Sequence, residues 1–165
     1  MLCYNYYVNH LVGMGHTGER LACRRRSAHA PSGTRFAVPA QVLVVAADPA
    51  DEAAAPWEAL LHAAGYGVRT VTSLPQARAL LTTQPVDAVL LVAPLSDCTV
   101  LPFCAELHQR LGPQVVLIVV CPPEVARLQV VALELGADDV VTTPVAADEV
   151  LARLAAHLRR SAPWG

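Results

Sequence analysis

From Gln41 onward the chain alternates short, continuous apolar runs with longer alanine- and leucine-rich stretches of helical period. The runs Val42-Leu43-Val44-Val45, Ala88-Val89-Leu90-Leu91-Val92 and Val115-Val116-Leu117-Ile118-Val119-Val120 are rich in β-branched residues and lack polar alternation. Strands of that kind are buried on both faces, as in a parallel sheet. Val68 to Val71 and Val140-Val141 supply two more. Between them the pattern predicts five helices, each bounded by turn chemistry. The first lies within Ala50 to Ala64, is stopped by Gly65, and contains Pro56, which should kink or restart it. The second runs from Leu74 to Thr83 behind Ser73 as cap, with Gln76 at the matching capping-box position. The third spans about Asp97 to Leu111 before Gly112-Pro113, the fourth Pro123 to Leu135 before Gly136, and the fifth Ala146 to Arg160. Five repeats of strand then helix need right-handed crossovers, which place helices on both faces of the sheet. The expected fold is a doubly wound, three-layer α/β domain with strand order 2-1-3-4-5 and a site at the carboxyl ends of strands 1 and 3.

The fourth helix carries more apolar residues than one buried face requires. Val130 and Leu133 are expected to face the sheet, which leaves Leu128, Val131 and Leu135 as a second apolar stripe. Such a stripe marks either a partner surface or a face covered by the chain's own leader or tail.

Residues 1 to 40 have a different character: Tyr4, Tyr6 and Tyr7, then Arg24-Arg25-Arg26, then Pro31-Ser32-Gly33 and Pro39. They are read as a poorly ordered leader, with residues 41 to 160 as the folded domain and 161 to 165 as a tail. Gly13-Met14-Gly15-His16-Thr17-Gly18 has the GxGxxG spacing of dinucleotide loops. It lacks the uninterrupted helix and the acidic residue roughly 20 positions on that such a loop needs, so it reads as linker.

Composition narrows the function classes. A hydrophobic fraction of 54% with 16% charged residues argues against a disordered chain, and a net charge of −2 gives no overall pull toward nucleic acid or anionic lipid. The five cysteines, Cys3, Cys23, Cys98, Cys104 and Cys121, lack zinc-ligand spacing, and the six histidines form no metal pattern. With no signal peptide and no run of ~20 apolar residues, a cytoplasmic protein is expected. A redox role for Cys121 would need a lowered thiol pKa, which an apolar strand end before Pro122-Pro123 does not provide. No Ser or Cys has an evident base partner, so an enzyme is not expected.

The stretch Gly136-Ala137-Asp138-Asp139-Val140-Val141-Thr142-Thr143-Pro144, followed by Glu149-Val150-Leu151-Ala152-Arg153, resembles the end of response-regulator receiver domains. Val42 to Val45 with Asp48-Pro49, Gly65-Tyr66-Gly67-Val68, and Asp87-Ala88-Val89-Leu90-Leu91 continue the resemblance in the same order. It covers roughly residues 41 to 160 and implies the CheY-like, flavodoxin-like fold of two-component and phosphorelay signalling.

In that family an aspartate ending strand 3 takes up a phosphoryl group, and an acidic pair after strand 1 holds magnesium. The resemblance puts the acceptor position on Val92 and the acidic pair on Ala46 and Ala47. It puts the hydroxyl of strand 4 on Val119, the aromatic switch of strand 5 on Val140, and the lysine before the strand-5 proline on Thr143. Alanine and valine offer neither oxygen ligands nor a nucleophile, so no magnesium site or other cofactor is expected. Asp48 and Asp97 are the nearest carboxylates, and neither falls on a motif position. The spacing from Pro49 to Gly65 is also longer than the resemblance implies.

The expectation is a degenerate pseudo-receiver that acts through protein association. Its surface would comprise helix 4, strand 5 and helix 5, through Leu128, Val131, Leu135, Asp139, Val140 and Arg153, and its partner would be another signalling protein or a second copy. Because the chain ends at Gly165, soon after the fifth helix, no DNA-binding output domain is expected to follow. The alternative is a small-molecule sensor that uses a vacated apolar pocket lined by Ala46, Ala47, Val92 and Val119.

Overall fold

The computed structural model describes residues 39–46, 55–92, 97–123 and 126–161, with side chains throughout except at 55, 56, 97–99 and 126–128. The strands are β1 (Gln41–Ala46), β2 (Gly67–Val71), β3 (Ala88–Val92), β4 (Val116–Cys121) and β5 (Asp139–Thr142). All four pairings are parallel, and the order is β2-β1-β3-β4-β5, so the expected doubly wound topology is the one observed. The helices among the described residues are α1 (Ala55–Ala63), α2 (Leu74–Thr83), α3 (Asp97–Leu111), α4 (Ala126–Glu134) and α5 (Ala147–Ser161). None of them is long and apolar enough to cross a membrane.

The continuous apolar runs become strands because each is covered twice. On one face Leu43, Val45, Val89, Leu91, Leu117, Val119 and Cys121 meet Leu74 and Ala77 of α2, Val100, Phe103, Cys104 and Leu107 of α3, and Ala132 of α4. On the other, Val42, Val44, Ala46, Ala88, Leu90, Val92, Val116, Ile118 and Val120 meet Trp57 and Leu61 of α1 and Val150 and Leu154 of α5. Full burial of each large aliphatic side chain contributes about 1.5–3 kcal/mol, which is why period-2 polar alternation is absent.

Turn chemistry sets the helix ends. Ser73 caps α2, its Oγ accepting from the Gln76 amide at 3.4 Å. Gln76 Oε1 accepts from the Thr72 amide at 3.0 Å, one residue earlier than a standard capping box. After α1 the Tyr66 amide donates to Leu61 O and the Gly65 amide to His62 O, with Gly65 at φ 87°. The same pair of bonds closes α4, from Ala137 to Ala132 and from Gly136 to Leu133, with Gly136 at φ 107°. Both are Schellman closures, in which the left-handed residue is best a glycine.

One expectation lies partly outside the described residues and another is corrected. Pro56 is the second residue of α1, a position that fits a restart there, and the residues before Ala55 lie outside the described ones. Among the described residues α3 carries Pro102 in its interior. The faces of α4 are reversed. Val130 and Leu133, expected against the sheet, are exposed by 59% and 48%, while Ala132 is buried and Leu135 packs on the core. A small residue lets the helix approach the sheet closely, so α4 seats itself on Ala132 and turns its larger side chains out.

Candidate functional site

In a doubly wound sheet the natural site is the carboxyl edge, where β1 and β3 diverge toward opposite layers. The register sets Ala46 beside Val92, and Val92 beside Val120. These three share one face of the sheet, packed with α1 and α5, and all are buried. Val119 does not join them. It pairs with Leu91 and Val140 and faces the α2, α3 and α4 layer. The expected lining of Ala46, Ala47, Val92 and Val119 is therefore split between two cores, and the β4 residue next to Val92 is Val120. One residue of slip inverts a strand's faces, and only the pairing with β3 fixes that parity. Ala47 and Asp48 lie outside the described residues, and Asp97 opens α3 with its side chain outside them.

Among the described residues at this edge, Ala46, Val92 and Val120 contribute hydrocarbon. The Thr143 amide donates to Cys121 O at 2.9 Å, tying the chain after β5 to the end of β4. Val140 is half-buried against the α2, α3 and α4 core. Cys121 is fully buried, out of reach of an oxidant in solvent. Cys104 is equally buried in α3, and that burial pushes its thiol up to about 12, which keeps it protonated and inert at neutral pH.

The polar constellation of the domain lies instead on β5 and α5. Asp139, at the start of β5, accepts from Arg153 at 3.1 Å and has His157 Nε2 3.5 Å away. Arg153 also donates to Glu149 one turn earlier on α5, at 2.7 Å from Nη2 and 3.0 Å from Nε. The bonds to Glu149, and then those to Asp139, raise the Arg153 pKa further above its usual value. Asp139 and Arg153, expected as separate rim charges, are thus partners of one another. α4, which packs against β5, presents Val130 and Leu133 to solvent, with Val131 half-buried. Leu128 lies in α4 with its side chain outside the described residues.

Other acids have structural work. Asp87 Oδ2 accepts from the Gln41 amide at 2.7 Å, and Asp138 Oδ2 accepts from the Leu117 amide at 2.7 Å. Each stands just before a strand and fastens its entry to the neighbouring strand. Sequence reasoning read Asp138 only as part of a motif. Its twin Asp87, also one residue ahead of an apolar run, is the signal that would have exposed the shared role.

The larger of the two most developed clefts among the described residues is about 50 Å³, lined by Leu107, His108, Leu111, Val115 and Asp138 among others. Small-molecule sites occupy about 300–1,000 Å³. It opens at the amino ends of the strands, away from Val92, and does not support the pocket-sensor alternative.

The model of the response regulator receiver domain matches residues 42–155. The sensory transduction protein RegX3 of Mycobacterium tuberculosis is 37% identical over 105 residues, which cover 64% of this chain and 45% of that protein. The chain thus spans about half the length of the curated relatives it matches. The receiver domain of the TMAO respiratory system response regulator TorR superposes with a TM-score of 0.67 at 29% identity, covering 75% of this chain and all of that one. A CheY-like receiver domain from Methanospirillum hungatei gives 0.66 at 21% identity, over 74% of this chain and 96% of the other, a likeness of fold alone.

Proposed function

The chain belongs to the response regulator receiver domain family, and from that membership we propose that it is a pseudo-receiver, a two-component signalling module that takes up no phosphoryl group and acts by association. The observation that carries this reading is Val92. A buried valine stands at the carboxyl end of β3, where the resemblance calls for the acceptor aspartate, and it pairs with Ala46.

The chemistry of phosphoryl uptake needs a carboxylate nucleophile, oxygen ligands for magnesium and a cation over the transferred group. Ala46, Ala47 and Val92 supply no side-chain oxygen, so these residues do not fit a magnesium ion. Thr143 stands where a lysine would neutralise charge, and all 12 cationic residues of the chain are arginine. No lysine from elsewhere in the chain can substitute.

Output then rests on surface chemistry that needs no phosphate. The exposed pair Val130 and Leu133 on α4, bordered by half-buried Val140 on β5 and by Asp139, Arg153 and Glu149, forms an apolar centre with a charged rim. That is the anatomy of an interface, and it fits either another signalling protein or a second copy of this chain. The surface differs from the sequence expectation in its centre, with Val130 and Leu133 replacing Val131 and Leu135.

The test is chemical. The protein is incubated with acetyl phosphate, and separately with beryllofluoride, each with magnesium, and followed by intact-mass spectrometry and amide chemical shifts. Unchanged mass and unchanged shifts at Ala46, Val92 and Val120 are expected. An acid-labile adduct of one phosphoryl group, or magnesium-dependent shifts at those positions, overturns the proposal.

A further inference from the structure

Among the described residues β5 is an edge of the sheet, followed after Thr143 by Pro144. A parallel strand turns its amides alternately to its two sides. Because the Thr143 amide is directed at Cys121 O of β4, the alternation directs that of Val141 to β4 and leaves those of Val140 and Thr142 on the outer side. An outward row of donors is a template for a strand from another molecule.

The Val140 amide, however, is occupied. It donates to Oδ1 of Asp139, its own neighbour, at 2.9 Å. That carboxylate is held in place by Arg153 Nη1, 3.1 Å from Oδ2 and 3.4 Å from Oδ1, and Arg153 is itself fixed by Glu149. His157 Nε2 closes the other side of Oδ2 at 3.5 Å. The side chain of Asp139 is 18% exposed, so the carboxylate is folded onto the strand rather than extended into solvent.

We infer that Asp139, pinned by Arg153, is an edge guard: it caps the outward amide of β5 and prevents strand addition by a second copy of this chain. The charge placed along the edge adds a desolvation penalty for any incoming backbone. Two copies are thereby directed to meet through side chains on α4 and α5. This inference does not require that such an association occur.

The test separates the two ideas by working in a Leu133→Glu background, where association through side chains is expected to be weakened. Asp139→Ala and, independently, Arg153→Ala are introduced, the second leaving the sequence of β5 intact. Circular dichroism first establishes that each variant is folded. Sedimentation and amide exchange of Val140 are then measured across a range of concentrations. In the dilute Asp139→Ala protein the Val140 amide should exchange about tenfold faster than in the Leu133→Glu parent, having lost its acceptor. On concentration both double variants should form larger species, with that amide becoming protected again. If both stay monomeric at every concentration, with exchange at Val140 independent of concentration, the guard role is refuted, whatever Leu133→Glu did to the parent.

Discussion

On the proposed reading the residues at the receiver's site positions are small and apolar, while two acids placed before strands fasten the sheet. Asp138 and Asp139 stand side by side, yet one fastens β5 to β4 through the Leu117 amide and the other turns to Arg153 on α5. Replacing Asp138 by alanine should cost about 1–3 kcal/mol, because the amide of a buried strand residue loses its acceptor. Asp138→Asn, which keeps an oxygen there, should recover most of that, and urea denaturation of the three proteins checks it. Cys104 gives a prediction in pH. Burial raises its folded pKa to about 12 above an ordinary value of 9.0, so the native state holds the proton more tightly than the unfolded state does. The stability this contributes is complete below about pH 9 and is lost as pH rises toward 12. Between pH 9 and about pH 10.5 the parent should lose stability by roughly 1 kcal/mol per pH unit more than Cys104→Ala. Equal alkaline slopes in denaturant melts would show that the thiol is not buried in solution.

At the scale of elements, the sequence carried the architecture and left helix orientation undetermined. The runs at Val42, Ala88 and Val115 identified buried parallel strands because no other element tolerates so many consecutive β-branched residues between turns, and Gly65 and Gly136 announced helix ends. The rotation of α4 was hidden because Val130, Val131, Leu133 and Leu135 leave almost no polar side from which to read a phase, and packing density favoured Ala132. The face of Val119 was hidden for a related reason, since a strand buried on both sides has no polar residues to mark its parity. The two Schellman glycines separate conformational cost from packing cost. A Cβ at Gly65 meets nothing within 4 Å, whereas one at Gly136 runs into the ring of His108 on α3. Gly65→Ala should therefore cost only about 1 kcal/mol, the price of a left-handed alanine. Gly136→Ala should cost distinctly more, and in a His108→Ala background only the part of the excess due to the ring should disappear, because the His108 Cβ also meets the added Cβ and remains. A double-mutant cycle by chemical denaturation measures it.

For the whole molecule, the two cores reach the carboxyl edge of the sheet, with Ala46, Val92 and Val120 buried there. A cleft of mutually repelling carboxylates would be destabilising without a cation, and the proposed reading removes that requirement from this edge. On the pseudo-receiver reading proposed above, phosphate chemistry does not poise the fold, and what distinguishes one surface from another is the apolar pair on α4. Leu133 is 48% exposed, so Leu133→Glu should change the unfolding free energy by no more than about 0.5 kcal/mol. Val131, half-buried on the same helix, should respond differently: Val131→Glu places a charge at a half-buried position and should lower stability by more than about 1 kcal/mol, on the order expected for partial burial of an unpaired charge. If α4 and its charged rim are the association surface, Leu133→Glu should weaken self-association in sedimentation, or capture of a signalling partner in a pulldown, by at least about tenfold, as loss of a central interface residue does. Val130→Glu should act in the same direction. A parent that is monomeric and captures nothing through this face, or a Leu133→Glu protein that associates as tightly as the parent while folding normally, would remove α4 from the interface and with it the proposed route of output.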